Sequence, residues 1–219
     1  MINYKSVLSL FCCFIIYCTG SCVKEKNCPN NEVLPVRDLL VKINRSLLNN
    51  DRSAFKDSFF GSKEGLEIID LTFSLHQRLY LFIDLLKEKY GEDAFERFVK
   101  SKVSPSFSIS HFFRRDNNWY LSDQIVKVDR CSYRWLSPNT NQEFIVLFKD
   151  GVWKIDADLS FKTSEYNFNV IKFYDKAIST LSYGIRLLKK DKETSIDEIK
   201  LQLGKKMWGD VGYPNKGRT

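Results

Sequence analysis

The hydrophobic period of this 219-residue chain changes near Pro105, and that change constrains the fold more than any other feature. Over residues 64–90, apolar side chains recur at the spacing of an α-helix, with no proline and no glycine after Gly65. After Pro105, apolar and polar residues alternate with the period of a β-strand. Helices and strands in separate blocks are typical of the α+β class, which is the fold class predicted here.

Helices are predicted on both sides of the block of strands. They begin at Pro35 and near Asp51, and then cover residues 64–90, 92–99, 165–190 and 195–208. Asp51 is a suitable N-cap for a short second helix, with Phe55 and Phe59 on one face of it. Gly91 is expected to end the long helix, and Ser195 opens a capping box in the last one.

Five strands are predicted after Pro105. They cover residues 107–113, 119–129, 131–135, 143–148 and 152–159, with a bulge between Leu121 and Val126. The turn Lys149-Asp150-Gly151 indicates a hairpin between the last two strands. In the last strand, alternation predicts that Asp156 and Asp158 face solvent. The opposite face of that strand carries Trp153, Ile155, Ala157 and Leu159.

The first 21 residues have the three parts of a secretory signal peptide: Lys5 in a short positive region, an apolar run over residues 7–18, and the small residues Thr19, Gly20 and Ser21. The apolar run is shorter than the roughly 20 residues that span a bilayer. Small residues before Cys22 resemble the lipobox of bacterial lipoproteins, in which the cysteine is acylated, although Thr19 stands where that family prefers leucine. We therefore predict an exported, membrane-anchored lipoprotein of the bacterial cell envelope. A soluble secreted or periplasmic protein is the alternative.

Three cysteines remain after the leader: Cys22, Cys28 and Cys131. If Cys22 carries lipid, the other two can form one disulfide in an oxidising compartment. The alternative is a thiol in the tether and an unrelated cysteine in a strand. Residues 22–34 are polar and are interpreted as that tether. No cysteine or histidine pair has the spacing of a metal site, so the sequence predicts no metal and no cofactor.

Composition and motifs exclude several function classes. A charged fraction of 28% beside a hydrophobic fraction of 43% excludes a disordered chain. A net charge of +7 without a basic patch does not predict nucleic-acid binding. The basic residues Arg114, Arg115, Lys189, Lys190 and Lys192 are interpreted as a solvated face, with contact to anionic headgroups or a cell-surface polymer as the alternative. No phosphate-binding loop, serine-hydrolase elbow or zinc-protease motif is present in the sequence.

Three segments carry a resemblance to a known fold: NNDRSAF, LKEKYGEDAFERF and FIVLFKDGVWKIDAD. They are similar to the nuclear transport factor two-like (cystatin-like cone) superfamily, in the form of small bacterial exported proteins and lipoproteins of unknown function. The resemblance implies N-terminal helices packed on a strongly curved antiparallel sheet over residues 35–160. Residues 161–219, predicted to form an extension of two helices and a polar tail, depart from the minimal domain of that family.

The same resemblance implies a pocket on the concave face of the sheet. The residues predicted to line it are Phe107, His111, Trp119, Tyr133 and Trp135. Such a pocket predicts a non-catalytic protein that binds a small apolar ligand or a protein partner in the envelope. The alternative is an isomerase or dehydratase, because enzymes of this superfamily pair an aspartate with a histidine or tyrosine. His111, Asp129 and Tyr133 are the candidates for that role, with Asp123 and Asp156 as further acids, whereas His76 is interpreted as a core residue.

Overall fold

The computed structural model describes residue 28 and residues 33–103, 124–136, 143–160, 170–190 and 193–209. The chain divides into two units, residues 1–31 and residues 32–219, and all described residues except Cys28 belong to the second. The larger unit contains seven helices and a five-stranded sheet among its described residues, so the predicted α+β class is confirmed. No helix in these ranges is both long enough and apolar enough to cross a membrane.

The helices agree closely with the periods in the sequence. Their bounds are α1 (Leu34–Leu48), α2 (Arg52–Lys56), α3 (Lys63–Tyr90), α4 (Ala94–Lys100), α5 (Ala157–Ser160), α6 (Val170–Lys189) and α7 (Ile196–Trp208). The predicted N-caps are confirmed, since the Asp51 carboxylate accepts from the Ala54 amide at 2.9 Å and the Ser195 hydroxyl from the Glu198 amide at 3.1 Å. Such caps satisfy amides that the first helical turn leaves without a partner.

The strands form one open, mixed sheet. Their bounds are β1 (Phe59–Phe60), β2 (Ile125–Asp129), β3 (Ser132–Leu136), β4 (Glu143–Lys149) and β5 (Val152–Asp156). The order is β1-β5-β4-β3-β2, with β1 parallel to β5 and the other neighbours antiparallel. The prediction of a purely antiparallel sheet is therefore wrong at β1. The described strands do not close on themselves, and the cone shape stays a prediction.

Phe59 lies in that parallel edge strand and not on a helix, which corrects the sequence prediction. The helix α2 ends at Lys56, and the Ile155 amide donates to the Ser58 carbonyl at 3.0 Å, which begins the pairing of β1 with β5. The rings of Phe55 and Phe59 still contact each other, at 5.0 Å between centroids. The apolar pair therefore packs as expected although the backbone between its members is not helical.

The predicted strand over residues 107–113 lies outside the described residues, as do residues 119–123 of the next one. The described part of the sheet has a register irregularity between Lys127 and Asp129. The Asp-Gly hairpin between β4 and β5 is confirmed, with Asp150 and Gly151 both at positive φ. That backbone conformation is the one that an Asp-Gly turn of this kind requires.

The chain leaves the sheet at Asp156, three residues before the predicted end of the last strand. Ala157 and Leu159 belong to the short helix α5, which the Asp156 carboxylate begins by accepting from the Leu159 amide at 2.9 Å. The chain remains hydrogen-bonded to the sheet after Asp156, because the Ser160 hydroxyl accepts from the Ile145 amide at 3.0 Å. Ser160 thus pairs a β4 amide beyond the last β4–β5 residue pair, at Val146 and Ile155.

Asp158 attaches α5 to the start of α3, and its side chain, predicted to face solvent, is half-buried. Its carboxylate accepts from the Ser62 amide at 2.7 Å and from the Ser62 hydroxyl at 2.6 Å. A negative charge is favourable at this helix N-terminus. The close approach also requires Gly65, because a Cβ there would lie 2.4 Å from an Asp158 carboxylate oxygen.

Replacing Asp158 with alanine is expected to lower the free energy of unfolding by about 1–3 kcal/mol, because Ser62 loses a charged acceptor for both of its donors. Urea unfolding followed by circular dichroism measures the change. Asp175→Ala, at an exposed position of α6, is the matched control and is expected to stay within about 0.5 kcal/mol of wild type. Equal effects for the two variants would show that the Asp158 contacts contribute no net stability.

The core extends from the sheet through α3 to both C-terminal helices. Fully buried side chains come from every layer: Leu40 and Ile43 in α1, Phe82 and Leu86 in α3, Leu181 in α6, Leu203 in α7, and Phe144 and Ile155 in the sheet. Gly184 lets α6 approach its neighbours closely, since a Cβ there would lie 2.9 Å from the Phe82 ring and 3.0 Å from Leu203. His76 is buried in this core, as predicted.

Candidate functional site

Aromatic side chains cover one face of the β3–β4–β5 part of the sheet. We call this set the aromatic face: Tyr133, Trp135, Phe144, Phe148 and Trp153. Cross-strand pairing and strand alternation place all of them on the same side, because Trp135 is opposite Phe144 and Phe148 is opposite Trp153. Two of the predicted pocket residues, Tyr133 and Trp135, therefore lie on one surface.

The rings of the aromatic face contact one another in two groups, one at Trp135 and Phe144 and the other around Trp153. Trp135 stacks on Phe144 with centroids 4.8 Å apart and planes at 29°. Trp153 contacts both Tyr133, at 5.2 Å and edge-on, and Phe148, at 5.3 Å. Contacts of this geometry stabilise aromatic pairs beyond the apolar area that they bury.

Burial divides the aromatic face into two parts. Tyr133, Trp135 and Phe144 are at most 2% exposed and pack as core residues. Phe148 and Trp153, near the β4–β5 turn, are only half-buried. The indole N–H of Trp153 is shielded from solvent and has no hydrogen-bond partner in the described part of the chain. The half-buried end therefore combines exposed apolar surface with a donor that lacks an acceptor.

The remaining pocket and catalytic candidates are not assembled by the described residues. Phe107, His111 and Trp119 lie outside the described ranges, as do Asp123 and the predicted lipid site Cys22. Their place beside the aromatic face, and the catalytic use of His111, stay predictions. Groups of three or more histidine, cysteine or acidic side chains placed to hold a metal do not occur within the described ranges.

Asp129 is an exposed turn residue at the end of β2. Its carboxylate accepts from the Cys131 amide at 2.7 Å, and the hydrogen bond from the Ser132 side chain is the main cause that lowers its pKa below the usual range. Asp129 pairs with Ser132, which alternates with Tyr133 along β3, so the two candidates point to opposite faces of the sheet. The structure does not bring Asp129 and Tyr133 together as an acid–base pair.

Cys28 and Cys131 are each disulfide-bonded in the structure. Cys131 lies in the turn between β2 and β3, where its carbonyl accepts from the Phe148 amide at 3.0 Å. The predicted pairing of Cys28 with Cys131 stays a prediction.

A buried polar cluster between α3 and α6 has no counterpart in the sequence predictions. The Thr72 hydroxyl donates to the Ile68 carbonyl at 2.8 Å and is hydrogen-bonded to the buried Tyr174 phenol. His76 Nδ1 lies 2.8 Å from the Thr72 carbonyl, and Nδ1 carries the proton because a carbonyl only accepts. The i, i+4 spacing of Thr72 and His76 on an apolar helix was the only signal for this cluster in the sequence.

Lys200 is a buried lysine that was not predicted from the sequence. It is 4% exposed, and its ammonium donates to the carbonyls of Val99 at 3.0 Å and Ser101 at 2.6 Å. Burial lowers the pKa of Lys200. The contacts satisfy carbonyls at the C-terminal end of α4, which is a structural function for a cation at this position.

Tyr174→Phe is expected to reduce the loss of stability at alkaline pH. Burial raises the pKa of Tyr174, whereas an unfolded tyrosine ionises near pH 10. Above that pH only the unfolded state releases the proton, so Tyr174 lowers stability by about 1.4 kcal/mol per pH unit. Urea unfolding at intervals from pH 9 to 11.5 should give a shallower decline for the variant.

The comparison between pH 6 and pH 8 is the control, because Tyr174 ionises in neither state there. Lys200 acts in the opposite direction: its folded pKa is lowered, so its contribution to stability increases with pH up to the pKa of an unfolded lysine, near 10.4. Lys200 is unchanged in both proteins and cancels in their difference. Identical alkaline slopes for wild type and Tyr174→Phe would contradict the assignment to Tyr174.

Comparisons with known proteins identify no relative of this chain. No protein-family model, no curated protein and no solved structure matches this chain. The resemblance to the nuclear transport factor two-like superfamily therefore stays a proposal.

Proposed function

We propose that this protein is an exported, lipid-anchored protein of the bacterial cell envelope whose aromatic face binds a small apolar ligand. The proposal rests on the half-buried end of that face, where the rings of Phe148 and Trp153 are in contact. The indole N–H of Trp153 has no hydrogen-bond partner among the described residues. A buried donor left without an acceptor costs about 1–3 kcal/mol. A ligand with an apolar body and one acceptor would remove that cost.

The leader and the cysteines support the proposed location. Residues 1–21 have signal-peptide character and place small side chains before Cys22, as lipidation requires. Cys28 and Cys131 are both oxidised, and disulfides persist in compartments outside the reducing cytosol. With Cys22 acylated, these two are the cysteines left to bond with each other in the mature chain. A concave, cone-like sheet of the resembled superfamily is part of the same proposal.

Ligand binding is tested with the mature, oxidised chain and the fluorescent probe 1-anilinonaphthalene-8-sulfonate, which has apolar rings and an acceptor. We expect saturable binding of one probe per chain. Trp153→Phe keeps an aromatic ring but loses the N–H, and it should weaken binding about fivefold, the equivalent of one hydrogen bond. Trp208→Phe is the matched control in α7 and should bind as wild type does.

Unsaturable binding, or equal effects of the Trp153 and Trp208 variants, would contradict binding at the aromatic face. A protein partner captured on that face would then become the better account, which is the alternative that the sequence left open. The anchor is tested separately by Cys22→Ala and membrane fractionation. Membrane association and lipid labelling that persist in this variant would refute lipidation of Cys22.

A further inference from the structure

Exposed cations form a row along one side of α6. Lys172, Lys176, Arg186 and Lys190 follow one another at intervals of four, ten and four residues, and all four side chains are exposed. On a helix with 3.6 residues per turn, these intervals keep the four side chains within about 80° of one another. At a rise of 1.5 Å per residue, the row is roughly 27 Å long.

Tyr183 connects the row to α7. Its hydroxyl donates to Gln202 Oε1 at 2.9 Å. The Arg186 guanidinium and the Lys206 ammonium each lie 6.0 Å from the centroid of its ring, and cations are attracted to the face of an aromatic ring. Tyr183 therefore holds like charges from two helices around one ring. We call the following set the basic face: Lys172, Lys176, Arg186 and Lys190 from the α6 side, with Lys205 and Lys206 from α7.

Acidic residues on the two helices do not neutralise the basic face. Residues 170–190 and 196–208 carry seven exposed cations, the basic face and Lys189, and three exposed acids, which leaves a net charge of +4. The acids are Asp175, on α6, and Asp197 and Glu198, in the first turn of α7 where the helix dipole favours them. Within the described ranges, the ion pairs lie on α2, α3, α4 and the sheet, and Lys176, Arg186 and Lys206 take part in none of them.

The composition of the basic face favours a polymer over a bilayer. A helix that lies in a membrane surface inserts an apolar side into it. The apolar side of α6 is instead part of the core, where Ala177 and Leu181 are fully buried. The large hydrophobic side chains that are exposed in the described ranges all lie outside α6 and α7. A row of cations without apolar side chains to insert fits a partner that carries charge along its length.

We propose that the basic face is a docking surface for a linear polymer that carries phosphate groups, with the Arg186 guanidinium forming paired hydrogen bonds to a phosphate. The ring of Tyr183 already contacts two cations, so it positions them and is not open for the base stacking that single-stranded nucleic acids use. That the polymer belongs to the cell envelope rests on the proposed export of the chain.

The test measures binding of polyphosphate to the mature, oxidised chain by calorimetry. A polyphosphate of about 20 units exceeds the length of the row, whereas tripolyphosphate reaches only a part of it. At about 50 mM salt and equal phosphate concentration, we expect tripolyphosphate to bind at least tenfold more weakly, because it releases fewer counterions. Affinity for the long chain should fall steeply with added salt.

Charge reversal locates the binding surface. Arg186→Glu with Lys206→Glu should weaken polyphosphate binding roughly tenfold or more and make its salt dependence shallower. The matched control is Lys42→Glu with Arg45→Glu, two exposed cations of α1, which packs against α2, α3 and β5. It changes the net charge equally and should stay within about twofold of wild type because of screening by salt. Arg186→Gln with Lys206→Gln, which only removes the two charges, should give an intermediate loss.

Several results would overturn the inference. Equal weakening by the two charge reversals would mean attraction by net charge alone. Tighter binding to phosphatidylglycerol vesicles or to single-stranded DNA than to polyphosphate would assign the face to a bilayer or to a nucleic acid. The probe 1-anilinonaphthalene-8-sulfonate separates this failure from that of the proposed function, because its binding at the aromatic face should be unchanged in all these variants. Polyphosphate binding by a chain whose Cys22 carries no lipid and whose other cysteines are free would overturn the envelope as the source of the polymer.

Discussion

Trp135→Ala is expected to lower the free energy of unfolding by about 3–5 kcal/mol, the cost typical of removing a large aromatic side chain from a core. Trp135 is fully buried and stacks on Phe144, so truncation removes apolar contacts and leaves a cavity. Urea unfolding followed by circular dichroism gives the value. Few single substitutions in this chain should have a larger effect.

The matched control is Trp153→Ala on the same face of the sheet. Trp153 is half-buried, and its truncation should cost less than that of Trp135 because part of the site is already hydrated. The comparison also shows whether a predicted pocket residue fills the core or lines a cavity. A loss below about 1 kcal/mol at Trp135 would mean that its ring lines a cavity and does not fill the core, contrary to the packing described here.

Cys131→Ser is expected to destabilise the oxidised protein by about 2–5 kcal/mol, the range for removing a native disulfide. If Cys28 and Cys131 bond to each other, the closed loop exceeds 100 residues, which places the expected loss near the upper end of that range. Unfolding of the wild type and of the variant, each with and without dithiothreitol, measures the effect. Reduction should bring the wild type to the stability of the variant.

The pairing itself is tested by a double-mutant cycle. Cys28→Ser, Cys131→Ser and the double variant should all lose the same free energy, because one bond is absent in each of them. Additive losses, or a dithiothreitol effect that persists in Cys131→Ser, would contradict the Cys28–Cys131 pair. The double variant is included because each single variant retains one free thiol.

The helices could be predicted from the sequence because their limits are set by local residues. The helix α3 begins after Ser62, whose hydroxyl accepts from the Gly65 amide, and it ends at Gly91, which has positive φ. Both signals act within one turn of the residues that carry them. Alternation likewise predicted that Tyr133 and Trp135 share a face, since it depends on the strand alone.

The parts that escaped prediction depend on contacts between distant segments. Asp158 bonds Ser62 across 96 positions of the chain, and nothing near Asp158 in the sequence indicates that acceptor function. Strand β1 has two residues and exists through its parallel pairing with β5, so Phe59 could not be distinguished from a helical residue by periodicity. The bond between Thr72 and Tyr174 joins two helices that the sequence analysis treated separately.

The turn at Asp129 could nevertheless be predicted from residues close to it in the chain. Asp129 precedes Cys131 by two residues, which is the spacing at which an aspartate accepts from a backbone amide in a turn. That function competes with its use as a general base, and the structure shows the turn. At α5 the local pattern led to a wrong prediction. Apolar and polar residues alternate as far as Leu159, as they do in a strand, but the Asp156 carboxylate caps a helical turn there.

The most direct test of the proposed exported, lipid-anchored protein is mass spectrometry of the mature chain isolated from membranes without reduction. The account predicts an N-terminal Cys22 that carries a lipid mass, and a disulfide-linked pair of peptides that contain Cys28 and Cys131. An unlipidated N-terminus at another residue, with free thiols at both cysteines, would contradict it.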